Sequence, residues 1–192
     1  MKLRIGLMLL AMTLGGGASA AKLLENVSLQ WRPTSDLELG TVQMSQATIQ
    51  FDNFTDAREN KTAVGENIED KQPKPVTTQD DIGAFVGKHM RDLFQHAGFK
   101  VVDSDGAVII KGEVVQFFVR EESTYKSEVR VRLTVVNRDG KTLWNGLASG
   151  EATRFGRSYK LENYDEALSD GVVNTVSSML QDSNFEAALS GH

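Results

Sequence analysis

Residues 125–137 restrict the fold more than any other segment, because their apolar and polar side chains alternate over most of its length. Val129, Val131 and the other apolar residues of this run point to one side, whereas Arg130, Arg132 and their polar neighbours point to the other. Alternation with a period of two residues predicts a β-strand that is buried on one face and solvated on the other. Such a strand needs a sheet whose apolar face is covered, so the chain requires a second layer.

Helices are predicted to supply that layer. Thr78 is the expected N-cap of a helix over residues 79–97, in which apolar side chains recur at spacings of three and four before Gly98 ends it. A second helix is expected after Asn163, and a short third one after Ser183. Alternating segments predict further strands at 27–31, 42–51, 99–102, 107–120 and 142–154. This order predicts a two-layer α+β domain with a mixed, mostly antiparallel sheet and two main helices packed on one face.

Residues 1–20 have the pattern of a secretory signal peptide. A short basic start precedes the apolar run from Ile5 to Leu14, and Ala18-Ser19-Ala20 matches the small residues that signal peptidase recognises. The apolar run is too short to cross a hydrocarbon core of about 30 Å, and no later segment has the composition of a transmembrane helix. We therefore expect cleavage after Ala20, which would leave residues 21–192 as one domain in the periplasm or outside the cell.

Composition excludes several classes of protein. The chain contains no cysteine, which excludes disulfides, cysteine-ligated zinc and a cysteine-linked lipid anchor. Loss of the leader would remove two basic residues and change the net charge from −5 to −7. Binding to nucleic acid requires clustered basic residues, so a nucleic-acid partner is not expected.

No motif in the sequence converges on a reactive centre. His89 and His96 lie seven residues apart on one predicted helix, but no third ligand accompanies them at metal-binding spacing. Glycines 150 and 156, followed by Arg157, have the wrong spacing and the wrong cation for a phosphate loop. The pair Glu121–Glu122 is expected in a solvated hairpin turn. The sequence therefore predicts a protein that is not an enzyme and that has no metal and no cofactor.

A polar excursion at residues 52–77 interrupts every regular pattern. Few of its residues are apolar, and Pro73 and Pro75 stiffen its exit, so it is predicted to be a long loop. Loops of this length in compact domains are usually functional or disordered. We expect it to bind a partner through eight residues: Asp52, Asn53, Asp56, Arg58, Lys61, Gly65, Glu66 and Asn67.

Several of these motifs together resemble the YajG-like family of bacterial envelope lipoproteins. They are Phe51-Asp52-Asn53, Asp56-x-Arg58, Val64-Gly65, Gly98 to Val102 and Asp139-Gly140-Lys141. The order of elements is more distantly similar to accessory proteins of curli secretion and polysaccharide export. The resemblance implies a non-catalytic part of an envelope assembly, in some relatives a ring, and offers no catalytic residue to transfer. The missing lipidation cysteine is a departure from the family.

The leading hypothesis is a non-enzymatic periplasmic or envelope protein that binds another envelope component through loop 52–77 and an exposed sheet edge. The partner is not identified by the sequence, and self-association into a homo-oligomer is an open alternative. A carrier of a small apolar or lipid ligand is the second hypothesis, which predicts a dry pocket lined by residues such as Phe85, Phe117 and Trp144. A hydrolase, the third, would require titratable groups that converge near residues 52–67.

Overall fold

The computed structural model describes residues 23–38 and 46–190, in which one mixed sheet of nine strands is accompanied by three helices. The strands are β1 (Leu24–Val27), β2 (Ile49–Phe51), β3 (Thr55–Asp56), β4 (Ala63–Asn67), β5 (Lys74–Thr78), β6 (Val101–Val102), β7 (Val108–Glu121), β8 (Thr124–Asn137) and β9 (Thr142–Phe155). The helices are α1 (Ile82–His96), α2 (Leu161–Leu180) and α3 (Ser183–Ala188). The predicted signal peptide and its cleavage site, together with the first part of the predicted strand 42–51, lie outside the described residues.

The three long strands β7, β8 and β9 form an antiparallel meander at the positions that alternation predicts. Phe117 of β7 lies opposite Val129 of β8, and both side chains are fully buried. Helix α1 contacts this pair through Phe85, whose ring centre is 5.9 Å from that of Phe117. Helix α2 contacts it through Gly171, which lies against the side chain of Val129. The cross-strand pair therefore joins the sheet to both main helices.

The short strands give the sheet its mixed character. β2, β3 and β4 follow one another along the same edge of β7, each parallel to it. β6 adds to β2 and β1 adds to β5, also in parallel, whereas β4 and β5 pair antiparallel. The prediction of a mostly antiparallel sheet thus describes the meander and the β4–β5 pair, but not the other short pairings, which are parallel.

The excursion at 52–77 is not the continuous loop that its composition predicts, because it contains β3, β4 and β5. These strands are two to five residues long, too short for a period-two pattern to be recognised against polar neighbours. Their order comes mainly from main-chain pairing with β7 and with each other. The loop prediction is therefore wrong for these three stretches.

Helix starts also differ from the sequence-based expectation. Asp81 caps α1, because its carboxylate accepts a hydrogen bond from the Ala84 amide at 3.0 Å. Thr78 instead ends β5, and its hydroxyl donates to the Val27 carbonyl at 2.6 Å. Helix α2 begins at Leu161, upstream of the expected cap. For α1, pairing of Thr78 with the distant β1 keeps this residue in β5, so that Asp81 becomes the cap.

No helix among the described residues has the length and apolar character needed to cross a membrane.

Candidate functional site

Arg58 is the structural centre of the predicted binding segment. Its guanidinium donates to both carboxylate oxygens of Asp56, at 3.0 and 2.9 Å. It also donates to the carbonyl oxygens of Lys61, at 2.6 Å, and Ala63, at 2.7 Å. Only 6% of Arg58 is exposed. Because one planar guanidinium donates to several acceptors at once, this network holds the chain between β3 and β4 in a compact turn.

The charge of Asp56 is stabilised by the same contact. Burial by itself would raise the pKa of this carboxyl, but the hydrogen bonds and the positive charge of Arg58 hold the pKa below its ordinary value of 3.8. Asp56 therefore remains ionised and paired at neutral pH. Its role in the structure is to hold Arg58 in place.

Three of the eight predicted binding residues are buried and act inside the fold. Besides Arg58, these are Gly65 and Asn67. A β-carbon on Gly65 would lie 2.8 Å from the Val119 carbonyl oxygen, so only glycine allows β4 to approach β7 this closely. The Asn67 side chain accepts a hydrogen bond from the Glu69 amide at 3.1 Å. A partner could not contact these three residues unless the fold opened.

The other five predicted residues are at least partly accessible. Asp52, Asn53 and Lys61 are exposed, whereas Asp56 and Glu66 are half-buried. Glu66 forms an ion pair with Arg120 at 2.9 Å, which fixes it to the sheet. The exposed residues belong to a surface ridge that consists of residues 52–62.

Phe54 fixes this ridge to the body of the protein. Its ring is buried between α1 and β7, where it is 5% exposed. A β-carbon on Gly112 of β7 would lie 2.4 Å from the ring, and one on Gly87 of α1 would lie 3.0 Å from it. At Gly83 a β-carbon would meet the carbonyl oxygen of Phe54 itself at 2.5 Å. Three glycines therefore form the socket in which the ridge is anchored.

Surface grooves border the ridge on several sides. One of about 460 Å³ lies between the ridge and the start of α1, where Asp56, Lys61 and Asp80 contribute charged groups. A second of about 370 Å³ separates Asp52 and Asn53 from the solvated face of the sheet. A third of about 300 Å³ lies between the same two residues and the flank of α1. The ridge is thus an exposed surface that Phe54 and Arg58 hold in place from below, and it has grooves beside it.

Glu121 is a buried carboxylate that the sequence assigns wrongly to a solvated turn. It is fully buried and accepts hydrogen bonds from the Tyr164 hydroxyl at 2.6 Å and from the amides of Ser158 and Tyr159 at 3.0 Å each. Burial would raise the pKa of Glu121, but these hydrogen bonds lower it below the ordinary value. The connection between β9 and α2 closes on this group. No pattern near Glu121 in the sequence shows that the chain returns to it.

The histidines do not form a site together. His89 is buried and stacks on Trp31, with ring centres 4.1 Å apart and planes 6° from parallel, whereas His96 is exposed. Burial, followed by the nearby charge of Lys88, lowers the pKa of His89 to about 4, so it is neutral at physiological pH. In the part of the chain that the structure describes, no three His, Cys, Asp or Glu side chains lie where they could jointly hold a metal ion.

The residues proposed for a lipid pocket pack against other aromatic rings. Phe85 and Phe117 contact each other, and Phe117 is fully buried. Trp144 contacts Phe185 of α3, with ring centres 5.1 Å apart. These three side chains are therefore used in packing between the sheet and the helices. The structure offers no observation in favour of the carrier hypothesis.

A solved structure with a TM-score above 0.5 shows the same fold. Protein XCC0632 from Xanthomonas campestris, of the family DUF330, is 9% identical, with a TM-score of 0.57 over 81% of this chain and 94% of that one. A PelC dodecamer from Paraburkholderia phytofirmans is 12% identical, with a TM-score of 0.45 over 72% and 98%. A putative lipoprotein from Caulobacter crescentus CB15 is 9% identical, with a TM-score of 0.43 over 72% and 91%.

Sequence comparison is more informative about the family. No curated protein matches this chain. One protein family, described as uncharacterized lipoprotein, matches residues 41–190, which include the ridge, the sheet from β2 onward and all three helices. The match agrees with the coarser part of the resemblance in the sequence, a relationship to lipoproteins. The chain therefore belongs to the uncharacterized lipoprotein family, which indicates a place in the cell envelope.

Proposed function

We propose that this protein is a non-enzymatic component of the periplasm that binds another envelope component through the ridge at residues 52–62. The observation that carries this proposal is the combination of exposure and rigidity at the ridge. Asp52, Asn53 and Lys61 are exposed, yet Arg58 and Phe54 hold the chain beneath them. A surface that is already ordered loses little conformational entropy when a partner binds, which favours affinity.

The use of the buried charged groups supports a binding role over a catalytic one. Catalytic acids and bases must reach a substrate, with a proton that they can exchange. Main-chain groups and neighbouring side chains instead already form the hydrogen bonds of Asp56, Arg58 and Glu121. These groups stabilise the fold and leave recognition to the exposed residues of the ridge.

That the chain is a YajG-like protein, within the broader lipoprotein family, is part of the same proposal. A YajG-like member without the lipidation cysteine would be released from the membrane after export and would depend on protein contacts to stay near it. The ridge would then provide the attachment that a lipid provides in lipidated relatives. The identity of the partner, whether a different protein or another copy, follows from the experiment below.

Photocrosslinking in living cells tests the ridge directly. A photoreactive amino acid at Asn53 should yield an adduct of one defined mass, and the combined substitutions Asp52→Ala and Lys61→Ala should reduce its yield. Asp139 and Lys141 are exposed at the turn between β8 and β9, so Asp139→Ala with Lys141→Ala is the matched control and should leave the yield unchanged. Absence of an adduct at Asn53, or an equal adduct from a probe at Asp139, would contradict the proposal.

Arg58 is not a useful position for this test. It is buried and bonded to the ridge from within, so its removal would change the fold as well as the surface. The exposed pair disturbs the fold less: the Lys61 ammonium donates a hydrogen bond to the Asp56 carbonyl at the surface, whereas Arg58 bonds the ridge from within.

A further inference from the structure

Strand β9 forms one edge of the sheet. It is 14 residues long, and within the described part of the chain it pairs only with β8. From Trp144 to Phe155 it contains no lysine and no proline, and it pairs with β8 without a bulge. Lysine, proline and bulges are common means by which proteins protect an edge strand from pairing with another chain. A long and regular edge without them can accept a further strand.

Two large apolar side chains of β9 are exposed to solvent. Phe155 is 91% exposed and Leu147 is 56% exposed. Both occupy odd-numbered positions, so they lie on the solvated face of the sheet, whereas Gly150 between them lies against α2. Side chains that are directly opposite each other on neighbouring strands lie about 5 Å apart. An added strand could therefore cover both apolar side chains.

Glu151 lies midway between these two side chains and on the same face. It is exposed and forms no ion pair within the described residues, and the residue opposite it on β8 is a second acid, Glu128. Glu128 pairs with Arg130, and Arg154, the only basic residue of β9, pairs with Glu166 of α2. Like charges opposite each other are unfavourable. A basic side chain on the free side of Glu151 would therefore be attracted to it.

The main chain of β9 already accepts one hydrogen bond from outside the sheet. The side-chain amide of Asn174, on α2, donates to the Glu151 carbonyl oxygen at 2.7 Å. This bond occupies a single acceptor. The main chain on either side of it, towards Leu147 and towards Phe155, is where an added strand would form its hydrogen bonds.

We propose that the edge of β9 binds an extended segment of a different protein, in which a lysine or arginine lies between two apolar residues, each four positions away. The basic residue would lie opposite Glu151, and the apolar residues opposite Leu147 and Phe155. Main-chain hydrogen bonds would provide affinity, and these three side chains would provide specificity. The pattern is symmetric, so it fits a parallel or an antiparallel strand.

The sequence of this chain favours a different protein over a second copy. A lysine or arginine with apolar residues four positions away on both sides occurs only at Ala107, Lys111 and Val115. Lys111 and Val115 lie within β7, and Ala107 directly precedes it. This segment is already paired inside the sheet, so another molecule of the chain has no free segment of the required pattern. The site is separate from the ridge, because the ridge and β8 lie on opposite sides of β7.

Fluorescence anisotropy with a labelled peptide tests the proposal on the full chain. The probe has lysine at its centre, valine four positions to each side and threonine elsewhere. We expect it to bind, and we expect a peptide with glutamate at the centre to bind about fivefold more weakly. Glu151→Lys should reverse this preference, and Phe155→Ser should weaken binding of the lysine peptide about fivefold. Both substituted residues are exposed, and circular dichroism checks that the variants fold.

Two further probes carry methyl groups on the main-chain nitrogens of either the odd or the even residues. Only one of these sets faces β9 in a paired strand, so one probe should lose binding and the other should retain it. The combination Asp52→Ala with Lys61→Ala on the ridge should leave binding unchanged. This control makes failure at β9 distinguishable from failure of the ridge.

Several results would overturn the proposal. They are no binding of the lysine peptide, equal binding of the lysine and glutamate peptides to the unsubstituted protein, and the same effect from both methylated probes. Light scattering provides one more test. A dimer that Phe155→Ser dissociates would show that a second copy occupies the edge, and this result would also overturn the assignment to a different protein.

Discussion

Substitution of Asp165 by asparagine tests the electrostatics of the face of α2 that residues 28–38 cover. Asp165 is 2% exposed and receives one main-chain hydrogen bond, from Gln30. Burial, only partly offset by this bond and by Arg32, raises the pKa of Asp165 from 3.8 to about 6. The folded protein therefore holds this proton more tightly than the unfolded chain. At neutral pH the ionised carboxylate destabilises the fold, and this penalty disappears as the pH falls from above 6 towards 4.

The size of the effect follows from the shift. A rise of about 2 pKa units corresponds to about 3 kcal/mol, which is an upper limit because the amide must still accept the bond from Gln30. We expect Asp165→Asn to raise the free energy of unfolding at pH 7.5 by about 1–3 kcal/mol. At pH 4.5 the expected difference falls to at most about 1 kcal/mol, because the carboxyl is then protonated in the fold while it is still largely ionised in the unfolded chain.

Urea unfolding, followed by circular dichroism at both pH values, measures this difference. Asp139→Asn is the control, because Asp139 is exposed and should show no such dependence on pH. If Asp165→Asn destabilised the protein equally at pH 7.5 and 4.5, the carboxylate would be a favourable partner of the Gln30 amide, and the argument from burial would be refuted.

Three further substitutions test the ridge and the stacked histidine. Arg58→Ala removes the buried guanidinium that holds the Asp56 carboxylate and two main-chain carbonyls, and it should lower the free energy of unfolding by about 3–5 kcal/mol in urea titrations; a loss below about 1 kcal/mol would contradict the structural role assigned to Arg58. Gly112→Ala should cost about 1–3 kcal/mol in thermal unfolding, because the new methyl group meets the Phe54 ring; an unchanged melting temperature would show that the ring moves freely. The lowered pKa of His89, about 4, means that its contribution to stability is lost as the pH falls from 6.5 to 4. His89→Phe should remove this acid sensitivity in urea titrations across that range, and an unchanged pH profile would contradict the assignment.

The meander could be predicted from the sequence because each of its strands is long enough to show alternation. Val129, Val131 and Leu133 place an apolar side chain at every second position, and all three are buried as this pattern predicts. β3 has only two residues, Thr55 and Asp56, and its place depends on pairing with β7. When pairing with a neighbour sets the position of so short a strand, its own residues show no alternation of apolar and polar side chains.

The candidate site was predictable only in outline. The spacing of Asp56 and Arg58 draws attention to the right segment, but a charged pair in a polar stretch is consistent with either a solvated contact or a buried network. Burial of Arg58 depends on β7, which follows about fifty residues later in the chain. The acceptors on α2 that bind the main chain of residues 30–35 were missed for the same reason, since Asp165 and Asp170 have the composition of a solvated helix face until this segment covers them.

The glycine socket around Phe54 has a consequence for how this surface can diverge. The ring of Phe54 meets Gly87 and Gly112, whereas Gly83 meets the Phe54 carbonyl oxygen, so only the first two depend on the side chain at position 54. Substitution of Gly87 or Gly112 is expected to be harmful alone and better tolerated with a smaller side chain at position 54, which would give no relief at Gly83. A change at Phe54 and at the glycines around its ring could therefore alter the height of the ridge above the sheet, while the strands of the sheet stay the same.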